Sequence, residues 1–120
     1  MNLRIPGDVL LVEDNALIAL NTEDMLREIG VATVRIAGTV TTALAAIEEK
    51  LPDFALLDVY LCGGTAADIA HRLIQDGAPF AFASGIGEAS DLPAKLAQVR
   101  ILRKPYTVQM LQTAFLDHFA

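Results

Sequence analysis

Five residues here carry side chains that could do chemistry together, though the chain scatters them: the pair Glu13-Asp14, then Asp58, Ser84 and Lys104. Each comes at the end of an apolar run of strand length. Val9-Leu10-Leu11-Val12 stops at Glu13, and Phe54-Ala55-Leu56-Leu57 stops at Asp58. The run from Pro79 to Ala83 stops at Ser84-Gly85, and Val99 to Leu102 runs into Arg103-Lys104-Pro105. Three carboxylates brought close together repel one another and ask for a cation. Their hard oxygens favour Mg2+ over zinc or copper. A lysine adds a point charge suited to phosphate, and a hydroxyl adds a hydrogen-bond donor. A carboxylate nucleophile, a divalent ion, an ammonium and a hydroxyl form a set for phosphoryl transfer to an aspartate. Such transfer depends on positioning and on stabilising charge at the equatorial oxygens.

Residues so far apart meet only if the elements between them bring every strand end to one rim. Continuous apolar runs suit strands buried on both faces, as in a parallel sheet. Asn15 caps a first helix that Gly30 ends, with Ile18, Thr22, Met25, Leu26 and Ile29 along one stripe. Val31 to Ile36 reads as the second strand, and Thr39 or Thr41 opens a helix reaching Lys50. Gly63-Gly64 turns the chain into a helix carrying Ile69, Ala70 and Leu73. Glu88 to Gln98 is weakly patterned and contains Pro93, which predicts a short or mobile fourth helix. Thr107 caps a last helix with Val108, Leu111, Phe115 and Phe119 on one side. Five strands alternating with helices predict one doubly wound α/β domain over 1–120 with a five-stranded parallel sheet. Ligands of such sheets bind beyond the carboxyl ends of the strands, where the topology reverses.

Composition narrows the function. A chain of 120 residues, 53% of them apolar, supports one core. The net charge is −6 and the nine basic residues are dispersed, so nucleic-acid binding is not expected. The single cysteine, Cys62, excludes an internal disulfide and suits a reducing compartment. Neither a signal-peptide run nor a membrane span is evident, so the expected location is cytoplasmic, away from membranes.

Val9-Leu10-Leu11-Val12-Glu13-Asp14-Asn15, Leu56-Leu57-Asp58, Phe82-Ala83-Ser84-Gly85 and Lys104-Pro105 occur in an order and spacing that resembles response-regulator receiver domains. The resemblance covers essentially the whole chain and implies a (βα)5 flavodoxin-like fold. It implies that Asp58 is the phosphoacceptor and that Asp14 binds Mg2+ directly. Glu13 would act mostly through water, and the Tyr60 carbonyl would complete the protein ligands. Ser84 would donate to a phosphoryl oxygen, Lys104 would pair with the phosphate, and the Lys104-Pro105 bond would be cis. The implied partners are a sensor histidine kinase or histidine phosphotransfer protein upstream and an unidentified protein target downstream. The chain would be a monomer or weak dimer. With no effector domain after the last helix, output is expected from association. Mg2+-dependent self-phosphorylation and self-catalysed loss of phosphate are expected, but no turnover of an outside substrate.

Two positions depart from the usual pattern. The residue three before the lysine, commonly Tyr or Phe in receivers, is Ile101. The run Pro79-Phe80-Ala81-Phe82-Ala83-Ser84-Gly85-Ile86-Gly87 resembles the alphaproteobacterial single-domain FAT GUY subgroup, with Ser in place of Thr and Ile86 in place of an aromatic. The residue that relays phosphorylation is therefore not named by the motif, and ordering of the segment after Ser84 is one expected route. Leu17 and Leu20 fall on the outer side of the first helix near Asp14 and are expected to meet the phosphodonor. His71, His118 and Cys62 read as ordinary surface or loop residues. Gly85-Ile86-Gly87 is a poor dinucleotide loop, with no matching glycine at the third position. A haloacid-dehalogenase phosphatase would need a second Asp two residues after its nucleophile, where Tyr60 stands. The remaining alternative is a receiver-like scaffold that binds partners without phosphorylation.

Overall fold

Alternation within the apolar runs decides the architecture, because neighbouring residues of a strand project to opposite faces. In a computed structural model the described residues are 5–61, 64–85, 96 and 99–119, without the side chains of 60, 64, 65 and 117–119. The elements are β1 (Asp8–Val12), α1 (Ala16–Ile29), β2 (Thr33–Ala37), α2 (Val40–Glu49), β3 (Phe54–Asp58), β4 (Tyr60–Leu61), β5 (Gly64–Thr65), α3 (Ala67–Asp76), β6 (Phe80–Ser84), β7 (Ile101–Arg103) and α4 (Val108–Phe119). Five strands form one sheet in the order β2-β1-β3-β6-β7, with every pairing parallel. This is the doubly wound α/β fold expected from the strand pattern, in the flavodoxin-like form that the resemblance implied.

Both sheet faces are covered. Leu10, Val12, Leu57 and Phe82 pack with Ile47 of α2 and Ile69 and Leu73 of α3. Val9, Leu11, Phe54 and Leu56 face the other way, onto Ala19 and Leu26 of α1 and Leu111 and Phe115 of α4. Phe54 and Phe115 meet edge to face at 5.1 Å. The central strands β1, β3 and β6 are buried throughout, which is why their sequences are apolar without alternation.

The helix ends follow their capping residues. The Asn15 side chain accepts from the Leu17 and Ile18 amides at 3.0 and 3.1 Å. Thr39, rather than Thr41, caps α2 in a reciprocal box with Thr42. Gly30 and Gly77 take φ values of 121° and 80°, ending α1 and α3 in a region that side chains disfavour.

Several boundaries differ from the expected ones. β2 starts at Thr33, because the Val31 amide bonds back to the Leu26 carbonyl at 3.0 Å and belongs to the helix stop. β7 starts at Ile101, because the Val99 amide turns back to the Leu96 carbonyl at 3.1 Å. On α1 the buried residues are Ala19, Thr22 and Leu26, while Ile18, Met25 and Ile29 are only half-buried. The small antiparallel pair β4–β5 was not anticipated. The expected fourth helix over 88–98 lies outside the described residues apart from Leu96, as do Cys62, Gly63, Ile86, Gly87 and the His118 side chain. His71 is exposed, as expected. Among the described residues no helix is long and apolar enough to cross a membrane.

One buried polar contact joins α1 to the segment before α4. Thr22 Oγ1 lies 2.5 Å from the Tyr106 hydroxyl and 2.9 Å from the Ile18 carbonyl. A threonine hydroxyl has one proton. If Thr22 donates it to Ile18, Tyr106 must be the donor to Thr22. The two ends of the contact are therefore unequal. Thr22→Val strands a buried phenol proton and should cost about 1–3 kcal/mol. Tyr106→Phe leaves Thr22 bonded to Ile18 and should cost clearly less, and the double variant should recover most of the Thr22→Val loss. Urea unfolding of the three variants checks the order, and equal losses for the two single variants would contradict this proton assignment.

Candidate functional site

Parallel pairing carries the carboxyl ends of β1, β3, β6 and β7 to one rim. β1 lies between β2 and β3, so the chain winds one way from β1 and the other way through β3, β6 and β7. The reversal falls between β1 and β3, the place where doubly wound folds open a crevice. Glu13 follows β1 and is held by its amide on the Ala37 carbonyl at 3.0 Å. Asp58 is the last residue of β3 and pairs in register with Ala83. Ser84 ends β6, and its carbonyl accepts from the Lys104 amide at 2.8 Å.

Four of the expected residues converge: Glu13, Asp14, Asp58 and Lys104. Glu13, Asp14 and Asp58 each offer a carboxylate oxygen within 4.8 Å of the others, a group able to hold a metal ion. Lys104 Nζ reaches Glu13 Oε1 at 3.0 Å and Asp58 Oδ2 at 3.1 Å. Glu13 Oε2 accepts from the Asn15 amide at 3.2 Å, which links the acidic pair to the cap of α1. Glu13, Asp58 and Ser84 are buried, whereas Asp14 is exposed at the mouth. Tyr60 stands two residues beyond Asp58, at the start of β4. The Lys104-Pro105 bond is cis.

Charge in this cluster is out of balance. Burial, followed by the hydrogen bond and repulsion from Glu13, pushes the Asp58 carboxyl up to about 7 against the pull of Lys104. Burial also opposes ionisation of Glu13, but hydrogen bonds from Asp58, the Asn15 amide and Lys104 outweigh it and hold Glu13 below the usual carboxylate range. The lysine is desolvated too, yet its two carboxylate partners keep it firmly protonated. Near neutrality the proton of the pair resides on Asp58, and a divalent cation would displace it. The donor set of carboxylate oxygens suits a hard cation.

A second buried carboxylate shows what a balanced pair looks like. Asp8, at the opposite end of β1, meets Arg35 at 2.9 Å, and the same guanidinium donates to the carbonyls of Ala46 and Lys50 at 2.8 Å each. That carboxylate has its own cation and leaves nothing for a ligand to neutralise.

Leu17 and Leu20 are 69% and 56% exposed on α1, beside this mouth. Ile101 pairs with Phe82 and packs on the α2–α3 side of the sheet. The Thr22–Tyr106 contact, on the other side, was missed by sequence reasoning. Its signal was a threonine inside the apolar stripe of the first helix, which asks for a buried hydroxyl partner.

Comparison with known proteins agrees with this geometry. The chain is similar to SdrG from Sphingomonas melonis Fr1, known as a solution structure, at 32% identity over 97% of this chain and 99% of that one, with a TM-score of 0.80. It is similar at 34% identity to the BeF3-activated conformation of SdrG from Pseudomonas melonis Fr1, over 93% and 98% of the two chains, with a TM-score of 0.77. A response regulator from Chloroflexus aurantiacus J-10-fl, described there as provisional, is 27% identical over 92% of this chain and 98% of its own, with a TM-score of 0.74. No family model matches the chain, and no curated protein does. Identity of about a third across nearly the full length of a relative, on a shared fold, means that this chain belongs to the response-regulator receiver domains, the input modules of two-component signalling.

Proposed function

We propose that the chain accepts a phosphoryl group on Asp58 from a sensor histidine kinase or histidine phosphotransfer protein, and that the phosphorylated form signals by binding a downstream protein in the cytoplasm. One observation carries the reading: a buried carboxylate grouped with two others and met by the Lys104 ammonium at 3.1 Å. In the transfer an Asp58 oxygen bonds to phosphorus while the phosphorus–nitrogen bond to the donor imidazole breaks and its electron pair stays on nitrogen. Asp58 must be ionised to attack. Lys104 would pair with the phosphoryl oxygens, and Ser84 would donate to one of them. Glu13, Asp14, Asp58 and the Tyr60 carbonyl would hold Mg2+. When bound, that ion offsets the carboxylate charge and the negative charge of the phosphoryl oxygens. The chain would act only on itself, by phosphorylation and self-catalysed hydrolytic loss of the phosphoryl group. The BeF3-activated form of the relative SdrG supports this, since beryllium fluoride on a carboxylate mimics a phosphoryl group.

A second reading, a phosphorylation-independent scaffold, rests on Ile101, which replaces the aromatic that receivers commonly use as a relay. Asp58→Asn separates the two: it abolishes control of partner binding under the first and leaves it unchanged under the second.

Intact mass after incubation with Mg2+ and acetyl phosphate should show one phosphoryl adduct on the wild type and none on Asp58→Ala. Absence of an adduct from the wild type, with acetyl phosphate and with a phosphorylated histidine kinase alike, would refute the proposal.

The proton on Asp58 makes the metal site pH-dependent. Since the ion must displace that proton, Mg2+ affinity should climb as pH rises through about 7 and level off above it. Calorimetric titration across that range should show the climb, and Asp58→Asn should flatten it. Stability without metal runs the other way. The folded state holds the Asp58 proton up to about 7 while the unfolded chain loses it near the ordinary aspartate value of 3.8, so stability falls as pH rises between those values. Asp58→Asn should therefore raise the metal-free Tm at pH 8, with the gain fading toward pH 4.

Leu17 and Leu20 supply an apolar surface for the phosphodonor next to Asp14. Replacing both by Ala should slow phosphotransfer from the kinase by about tenfold or more, as loss of interface anchors does, and leave acetyl phosphate labelling unchanged. An unaltered kinase rate would exclude them from that surface.

A further inference from the structure

The phosphoryl chemistry above uses Lys104 but leaves unexplained what holds it in place. Its backbone is tied on one side, by the amide bond to the Ser84 carbonyl at 2.8 Å. Two residues on, Tyr106 is 8% exposed, and its hydroxyl meets Thr22 in the middle of α1. Between these anchors the packing is open. A cavity of about 310 Å³ lies between α1 and the Lys104–Tyr106 segment, lined by Ile18, Asn21 and Met25 on the helix and by Pro105 on the segment.

We propose that Tyr106 is a positioning residue: its hydroxyl contact with Thr22 fixes the segment that carries Lys104 against α1, and couples the state of Asp58 to the exposed face of that helix. The proposal rests on Asp58 being the phosphoacceptor.

The contacts form a closed circuit. Lys104 bonds to Glu13, and Glu13 accepts from the Asn15 amide. Asn15 caps the amides of Leu17 and Ile18, and the Ile18 carbonyl accepts from Thr22, which meets Tyr106, two residues from Lys104. A phosphoryl group on Asp58 competes with Glu13 and Asp58 for the one ammonium. Any shift of Lys104 toward it strains or moves a segment whose far end is pinned to Thr22. The cavity gives that segment room to move, and the hydroxyl contact would pass the movement to Thr22, on the helix that bears Leu17 and Leu20. The position that commonly relays phosphorylation cannot use this route. Ile101 packs on the α2–α3 side, while Tyr106 belongs to the cluster facing α1 and α4.

The test uses beryllofluoride as the phosphoryl mimic and Mg2+ alone as the control, with wild type, Tyr106→Phe, Thr22→Val and Thr22→Ser. Tyr106→Phe should weaken beryllofluoride binding on the order of threefold to tenfold, the range by which residues along a coupling route act. Mg2+ affinity should stay unchanged, because the carboxylates hold the ion. Thr22→Ser, which keeps the hydroxyl, should behave as wild type, and Thr22→Val as Tyr106→Phe. In the wild type the Ile18 and Thr22 amide resonances should move on beryllofluoride binding, and in Tyr106→Phe much less. Equal beryllofluoride affinity and equal amide shifts in wild type and Tyr106→Phe would overturn the proposal. So would parallel losses of Mg2+ and beryllofluoride binding, which would mark a general disturbance of the site. A wild type that binds neither beryllofluoride nor a phosphoryl group would instead bring down the assignment of Asp58, and this proposal with it.

Discussion

The site turns on a charge imbalance. Three carboxylates converge where β1 and β3 diverge, and one lysine serves two of them. A folded protein tolerates such a cluster only by keeping a proton, recruiting a cation, or both. This chain keeps the proton on Asp58 and leaves Asp14 open to solvent at the mouth. The same imbalance makes the cluster a group that could hold a divalent ion. The Asp8–Arg35 pair at the other end of β1 has no such capacity, because its charges already cancel and the guanidinium also closes the backbone carbonyls of Ala46 in α2 and of Lys50 just after it.

An acidic cluster stays in place only on a rigid support. β1, β3 and β6 are buried over their full length, with apolar residues on both faces, so a slip in register would displace side chains from two packed layers at once. Glu13, Asp58 and Ser84 inherit that rigidity because each sits directly at a strand end. Lys104 does not, since it follows the short edge strand β7 and reaches the cluster across the rim. Its support comes from Ser84 on the sheet and from the segment that Tyr106 joins to α1. The lysine is thus held from two sides, and α1 is the element that shares its anchorage.

Some of the boundary differences have a local chemical cause that composition does not reveal. Val31 is as good a strand residue as Thr33, but its amide is taken by the Leu26 carbonyl in the turn that stops α1. Val99 is likewise diverted by a bond to Leu96. The apolar stripe expected of α1 included Thr22 and Leu26, which are buried, but left out Ala19: that residue is small enough to lie against the sheet, so the bulkier Ile18 and Met25 sit at its margins. Leu17 and Leu20 are exposed, as expected, because both lie well clear of the buried arc.

The amino-acid sequence by itself determined the strand pattern, the parallel sheet that follows from continuous apolar runs, and the identity of the residues at the rim. Each of these depends on local alternation, capping and termination, which short stretches of chain encode. Tertiary structure alone decided how the charges share a proton, which hydroxyl meets Thr22, and which side of the sheet Ile101 and Tyr106 occupy. Those outcomes depend on distances of about 3 Å between residues up to 91 positions apart, as for Glu13 and Lys104. A hydrogen bond or ion pair tolerates little error in distance. Only the packed fold sets separations that finely.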